Sequence, residues 1–160
     1  MHKKEVRFEY LEFSDIYECS ETVQKLFNKA VEAMEKAYAP YSGFMVGAAL
    51  QLDNGQVITG NNQENAAYPS GLCAERVAVF AAKSLYPDAQ ILHLVIVTSA
   101  QNIMRPVSPC GSCRQVLAEY EQLQQKPFKI YLQSANGGLI CVEAATDLLP
   151  FNFDSELLNT

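Results

Sequence analysis

The chain has no apolar run long enough to cross a bilayer, and its opening Met1-His2-Lys3-Lys4 leads into charged residues where a secretory signal needs an apolar core. Both absences point to a cytoplasmic protein. Cationic residues are also scarce: 12 Lys and Arg stand against 18 Asp and Glu, for a net charge of −6 and a pI near 4.9. Tight binding to a phosphate backbone needs clustered Lys and Arg, so a nucleic-acid partner is disfavoured. No internal repeat or low-complexity segment interrupts the chain. There are only two histidines, His2 in an expected tail and His93 in an expected strand. Cysteines number five, an odd count that argues against a disulfide framework and for a reducing compartment.

What is present is enough for one sizeable core. At 160 residues and 49% hydrophobic content, the chain reads as a single domain spanning 1–160, with 1–19 a peripheral lead-in. Val6, Phe8 and Tyr10 alternate there as in a short strand. Ser20 is a plausible N-cap for a helix whose apolar stripe runs from Val23 to Tyr38 and stops at Pro40. Phe44 to Leu52 and Gln56 to Gly60 read as a hairpin across Asp53-Asn54-Gly55. A helix follows from Ala74, apolar on nearly all sides and therefore expected to be buried within the fold, and ends at Pro87-Asp88. Ile91 to Val97 has the near-continuous apolar character of a central strand. Strands at Phe128 to Gln133 and Leu139 to Val142 and a short helix over Ala144 to Leu149 complete an α/β chain, a mixed sheet with helices on both sides.

The chemistry is concentrated in Pro109-Cys110-Gly111-Ser112-Cys113-Arg114-Gln115 and Cys73-Ala74-Glu75-Arg76. With a helix opening near Cys110, a spacing of three puts both sulfurs on one face of its first turn, where unpaired N–H groups and the helix dipole favour thiolate. Cys73 opens the earlier helix after the loop Tyr68-Pro69-Ser70-Gly71. Two helix N-termini then converge on one Zn2+ held by Cys73, Cys110 and Cys113. Three protein ligands with a fourth position left to water are the pattern of a catalytic zinc. Cys19 and Cys141 stand alone without ligand-like spacing, and Cys141 and His93 are expected to pack in the core or at an edge.

These residues, with Ala39-Pro40-Tyr41-Ser42-Gly43-Phe44, Val46-Gly47-Ala48-Ala49-Leu50 and Asn62-Gln63-Glu64-Asn65-Ala66-Ala67-Tyr68, resemble the three-cysteine cytidine deaminases from about Ala37 to Phe153. The Pro-Cys-x-x-Cys pattern with a nearby glutamate is itself a known signature of zinc nucleobase deaminases. The resemblance implies a three-layer α/β/α fold on a mixed, mainly five-stranded sheet, and zinc-dependent hydrolysis of cytidine, with deoxycytidine alongside it, to the uridine counterpart and ammonia. Glu75 is then the general acid/base rather than a ligand, and Arg76 a donor to the ligand sulfurs, the alternative being a surface arginine. Carried over in the same way, Asn62 and Glu64 recognise the ribose hydroxyls, Phe44 lies on the base, and the Ala74 backbone meets it. No motif supplies a phosphate clamp, so a nucleoside is expected. Phe153 matches an aromatic residue that reaches into a neighbour's site in a homotetramer, against the alternative of packing on its own subunit. Two other readings of the motifs stay open: deamination of another aminopyrimidine nucleoside, and a non-catalytic zinc or thiol-redox module built on Cys110 and Cys113.

Overall fold

The computed structural model describes residues 1–100 and 103–158. Its elements, in chain order, are β1 (Tyr10–Phe13), α1 (Glu21–Met34), β2 (Val46–Leu52), β3 (Val57–Asn61), α2 (Ala74–Leu85), β4 (Ile91–Thr98), α3 (Gly111–Gln124), β5 (Lys129–Gln133) and β6 (Leu139–Val142). The strands form one sheet in the order β1-β6-β5-β4-β2-β3. Only β4 and β5 run parallel, joined by the α3 crossover; the other neighbours are antiparallel.

Alternation along β4 sets the three layers. Leu94 and Ile96 join Ala78, Val79, Ala82 and Leu117 on the α2 and α3 side. Val95 and Val97 join Val23, Leu26 and Ala30 on the α1 side. Successive strand residues point to opposite faces, so a strand apolar at every position is buried on both, as the run in β4 implied. Cys141 is buried in the α1-side core, and the His93 ring lies 6.0 Å from that of Tyr131.

The expected α/β/α fold is present, with differences at its margins. The lead-in contributes a sixth strand: β1 pairs with β6, Tyr10 opposite Val142 and Phe13 opposite Leu139. Val6 and Phe8 precede it. The Ser20 hydroxyl accepts from Val23 N–H as the N-cap of α1, but the helix ends at Met34, short of Tyr38. Tyr38 is drawn away because its N–H donates to Asn62 C=O and its C=O accepts from Glu64 N–H. The helix expected over Ala144 to Leu149 is reduced to a 3-10 turn, Thr146–Leu148. The buried carboxylate of Glu121 takes the Ala145 and Thr146 N–H groups, and Pro150 prevents continuation. Helix α2 is buried on one face only: Phe80 is 40% and Leu85 65% exposed, because the sheet covers one side of the helix and none of the described residues covers these two.

Candidate active site

Both helices that carry the chemistry begin with a cysteine. Cys73 is the N-cap of α2 and Cys110 that of α3, each with extended backbone, and neither side chain caps its own helix. The sulfurs turn instead toward one another. Cys73 Sγ lies 3.7 Å from Cys110 Sγ, Cys110 Sγ lies 3.5 Å from Cys113 Sγ, and all three are within 4.8 Å of one another. Tetrahedral zinc with Zn–S bonds of about 2.3 Å sets neighbouring sulfurs about 3.8 Å apart. The thiol cluster therefore fits one zinc ion through Cys73, Cys110 and Cys113.

The surroundings favour thiolate at Cys73. Arg76, one turn into α2, donates from Nη2 to Cys73 Sγ at 3.8 Å. Among the sulfurs, Cys73 takes the negative charge: its pKa falls to about 5, first because Cys113 donates to it, with further help from Arg76 and Cys110. Cys113 is pushed upward as the partner that keeps its proton. Glu75 is 5% exposed, and burial raises its pKa to about 6.

A feature absent from the sequence reading sets the depth of this turn. A Cβ on Gly60 of β3 would sit 2.5 Å from both Ala74 C=O and Ala78 N, so only glycine lets the first turn of α2, with Ala74 and Glu75, lie directly on the sheet. Ala74 is fully buried there.

Beside Cys73 opens a cavity of about 490 Å³ whose lining includes Tyr41, Asn62, Glu64, Leu72, Cys73 and Arg76. Asn62 and Glu64 both reach it, yet both are also braces. Asn62 accepts from Val46 N–H at 2.8 Å and donates to Phe44 C=O at 2.9 Å. Glu64 accepts from the Ser42 hydroxyl and from Tyr41 N–H at 2.9 Å, and these bonds hold its carboxyl below the ordinary range, the Ser42 contribution being the largest. The loop carrying Phe44 is thereby fixed against the segment carrying Asn62 and Glu64. Phe153 is not part of the lining. It is 57% exposed, and its C=O accepts from Gln115 of α3 at 2.7 Å. The structure gathers the three cysteine sulfurs with Arg76 beside them and sets Asn62 and Glu64 in the same cavity lining as Cys73, whereas Phe44 and Ala74 are not among the lining residues; Gly60, Arg114 and Gln115 had no role expected from the sequence.

A mixed sheet between helical layers, with three thiols at two converging helix N-termini and a buried carboxyl beside them, defines the class: an α/β/α protein with a zinc site and an adjoining buried glutamate. Comparison with known proteins makes this specific. The sequence model described as the cytidine and deoxycytidylate deaminase zinc-binding region matches residues 20–126, and the chain belongs to that family. It is 42% identical over 136 residues, 85% of this chain and 97% of the other, to a cytidine deaminase of Halalkalibacterium halodurans. It is 40% identical over 139 residues, 86% and 95% of the two chains, to one of Sporosarcina psychrophila. The crystal structure of a cytidine deaminase from Burkholderia pseudomallei superposes with a TM-score of 0.70 at 38% identity, covering 81% of this chain and 98% of that one.

Proposed function

We propose that the protein is a zinc-dependent cytidine deaminase, converting cytidine and deoxycytidine to uridine or deoxyuridine and ammonia, and that residues 1–160 work as one domain. The observation that carries this reading is the three sulfurs lying within 4.8 Å of one another with the buried Glu75 on the same first turn as Cys73. Cys73, Cys110 and Cys113 hold the zinc. When bound, it supplies Lewis-acid activation that brings the pKa of a water toward neutrality.

The rest is done by side chains. With a pKa of about 6, Glu75 is ionised at neutral pH yet more basic than an exposed glutamate. It takes a proton from the attacking water and delivers it to N3 of the cytosine ring as the water oxygen bonds to C4. It then takes the remaining proton from the hydroxyl now on C4 and gives it to the C4 amino group; the C4=O double bond forms as the C–N bond breaks, and ammonia leaves. Three thiolates outweigh the charge of one zinc ion, and Arg76 offsets the excess by its hydrogen bond to Cys73. Phe44 lies against the base and the Ala74 backbone meets its edge. Asn62 and Glu64 bind the ribose hydroxyls with the hydrogen-bonding capacity left beyond their bonds to the backbone. Arg76 is the one cation in the cavity lining among the described residues, and it is turned to a sulfur, which favours a nucleoside over a nucleotide.

The assembly proposed is a homotetramer whose sites are completed by a neighbour's Phe153. The exposed Phe80 and Leu85 on α2, and a Phe153 that lies outside its own subunit's cavity lining, support it. Neither a nucleic acid nor a membrane is a partner in this reading. No helix among the described residues is long and apolar enough to cross a bilayer, and the compartment proposed is the cytoplasm. A panel of cytidine, deoxycytidine, cytosine, CMP and adenosine tests the function: turnover of the two cytosine nucleosides above all others is expected, and preferential turnover of CMP or adenosine would replace it with a different deaminase.

A further inference from the structure

The two residues after Cys113 do more than continue a helix. Arg114 directs its guanidinium to three acceptors in two segments: Nε donates to Pro109 C=O at 2.9 Å, Nη2 to Ser108 Oγ at 2.7 Å, and Nη1 to Leu148 C=O at 2.9 Å. Gln115 donates from Nε2 to Phe153 C=O at 2.7 Å. Two consecutive side chains on the first turns of α3 thus hold both feet of the segment from Leu148 to Phe153. Its apex, Phe151, has φ of 60°, a left-handed conformation that a bulky non-glycine residue adopts only when its surroundings enforce it. The Arg114 foot is tied at the same time to the peptide joining Pro109 to Cys110. Since Cys110 does not cap its own helix, that bond helps fix where the Cys110 sulfur enters the cluster.

We propose that Arg114 and Gln115 are positioning residues that couple the zinc-ligand loop to the C-terminal arch carrying Phe153, so that metal retention and nucleoside affinity depend on one clamp. A guanidinium suits this because its planar fork satisfies divergent acceptors at once, whereas an ammonium is a compact point charge. The substrate half of the inference rests on the deaminase reading above; the metal half does not. Arg114 acts on both ends of the clamp and Gln115 on the arch alone.

The test separates them. Zinc-loaded wild type, Arg114→Ala, Arg114→Lys and Gln115→Ala are compared for zinc release to a chromogenic chelator without substrate, and for kcat and KM with cytidine. Groups that orient metal ligands typically change metal affinity 10–100-fold when lost. Arg114→Ala is expected to release zinc about tenfold faster and to raise KM. Gln115→Ala is expected to raise KM while releasing zinc at the wild-type rate. Arg114→Lys, which keeps the stem and the charge, serves where the alanine variant does not fold and is expected to show both shifts at smaller size. Wild-type zinc release and KM in Arg114→Lys or Arg114→Ala would overturn the proposal, as would faster zinc release in Gln115→Ala. Faster zinc release in the Arg114 variants of a protein inert toward cytidine would uphold the clamp and overturn the deaminase reading instead.

Discussion

The sulfurs of Cys110 and Cys113 lie 3.5 Å apart on the first turn of α3, both as free thiols, with the Cys73 sulfur closing the group from α2. A redox pair would need neither Cys73 nor the Arg76 that donates to it. Replacing Cys113 or Cys110 with alanine is expected to abolish zinc binding and lower thermal stability, because thiolate ligation and folding are coupled. Atomic absorption and a thermal melt with and without chelator would read both. Retention of one zinc per chain in Cys113→Ala would remove that residue from the ligand set.

Glu75 is buried on the same turn as Cys73 and lies outside the group of three sulfurs. Glu75→Gln keeps the shape and the ligands and removes the proton carrier. Turnover is expected to fall by about 10²–10⁴, with zinc content and melting temperature preserved. Ordinary activity in that variant would defeat the proton-transfer role.

Much of this was legible because the chemistry obeys short, fixed spacings. An interval of three on a helix places Cys110 and Cys113 together, and a cysteine at each helix mouth needs no tertiary information to suggest a metal. The central strand was equally plain in the apolar run of β4. What stayed hidden depends on partners distant in sequence. Nothing about Gly60 says that the first turn of α2 will press on it at 2.5 Å. Asn62 and Glu64 read as ligand-binding groups, and their backbone bonds to Phe44, Val46 and Tyr41 appear only once the loops are folded. The outer face of α2 reads as core because Phe80 and Leu85 are apolar, yet both are exposed among the described residues. Glu121 reads as one more helical glutamate although it is a buried anchor.

That anchor can be measured. The Glu121 carboxylate accepts from Ala145 N–H at 2.6 Å, Thr146 N–H at 3.2 Å and the Thr146 hydroxyl at 2.8 Å. Removing a buried acceptor costs about 1–3 kcal/mol for each group left unpaired. Glu121→Ala is therefore expected to destabilise the fold by about 3 kcal/mol, a fall in Tm of about 6–12 °C for a protein of this size. An unchanged melt would show that the segment after β6 contributes nothing to stability.

The proposed sharing of Phe153 between subunits predicts complementation. Tetramers reassembled from Glu75→Gln and Phe153→Ala chains would contain some sites with an intact Glu75 and a neighbour's intact Phe153. Activity above either parent is expected, alongside a tetrameric mass by light scattering. Fully active monomers would rule the shared site out.

The thiol cluster and Glu75 are proposed to form a zinc-dependent deaminating site. Its most direct test is one reaction: purified protein of measured zinc content with cytidine, followed by loss of cytosine absorbance and by released ammonia. One zinc per chain, equimolar uridine and ammonia, and loss of both products when the metal is chelated are expected. Zinc-loaded protein that releases no ammonia from any cytosine nucleoside would contradict it.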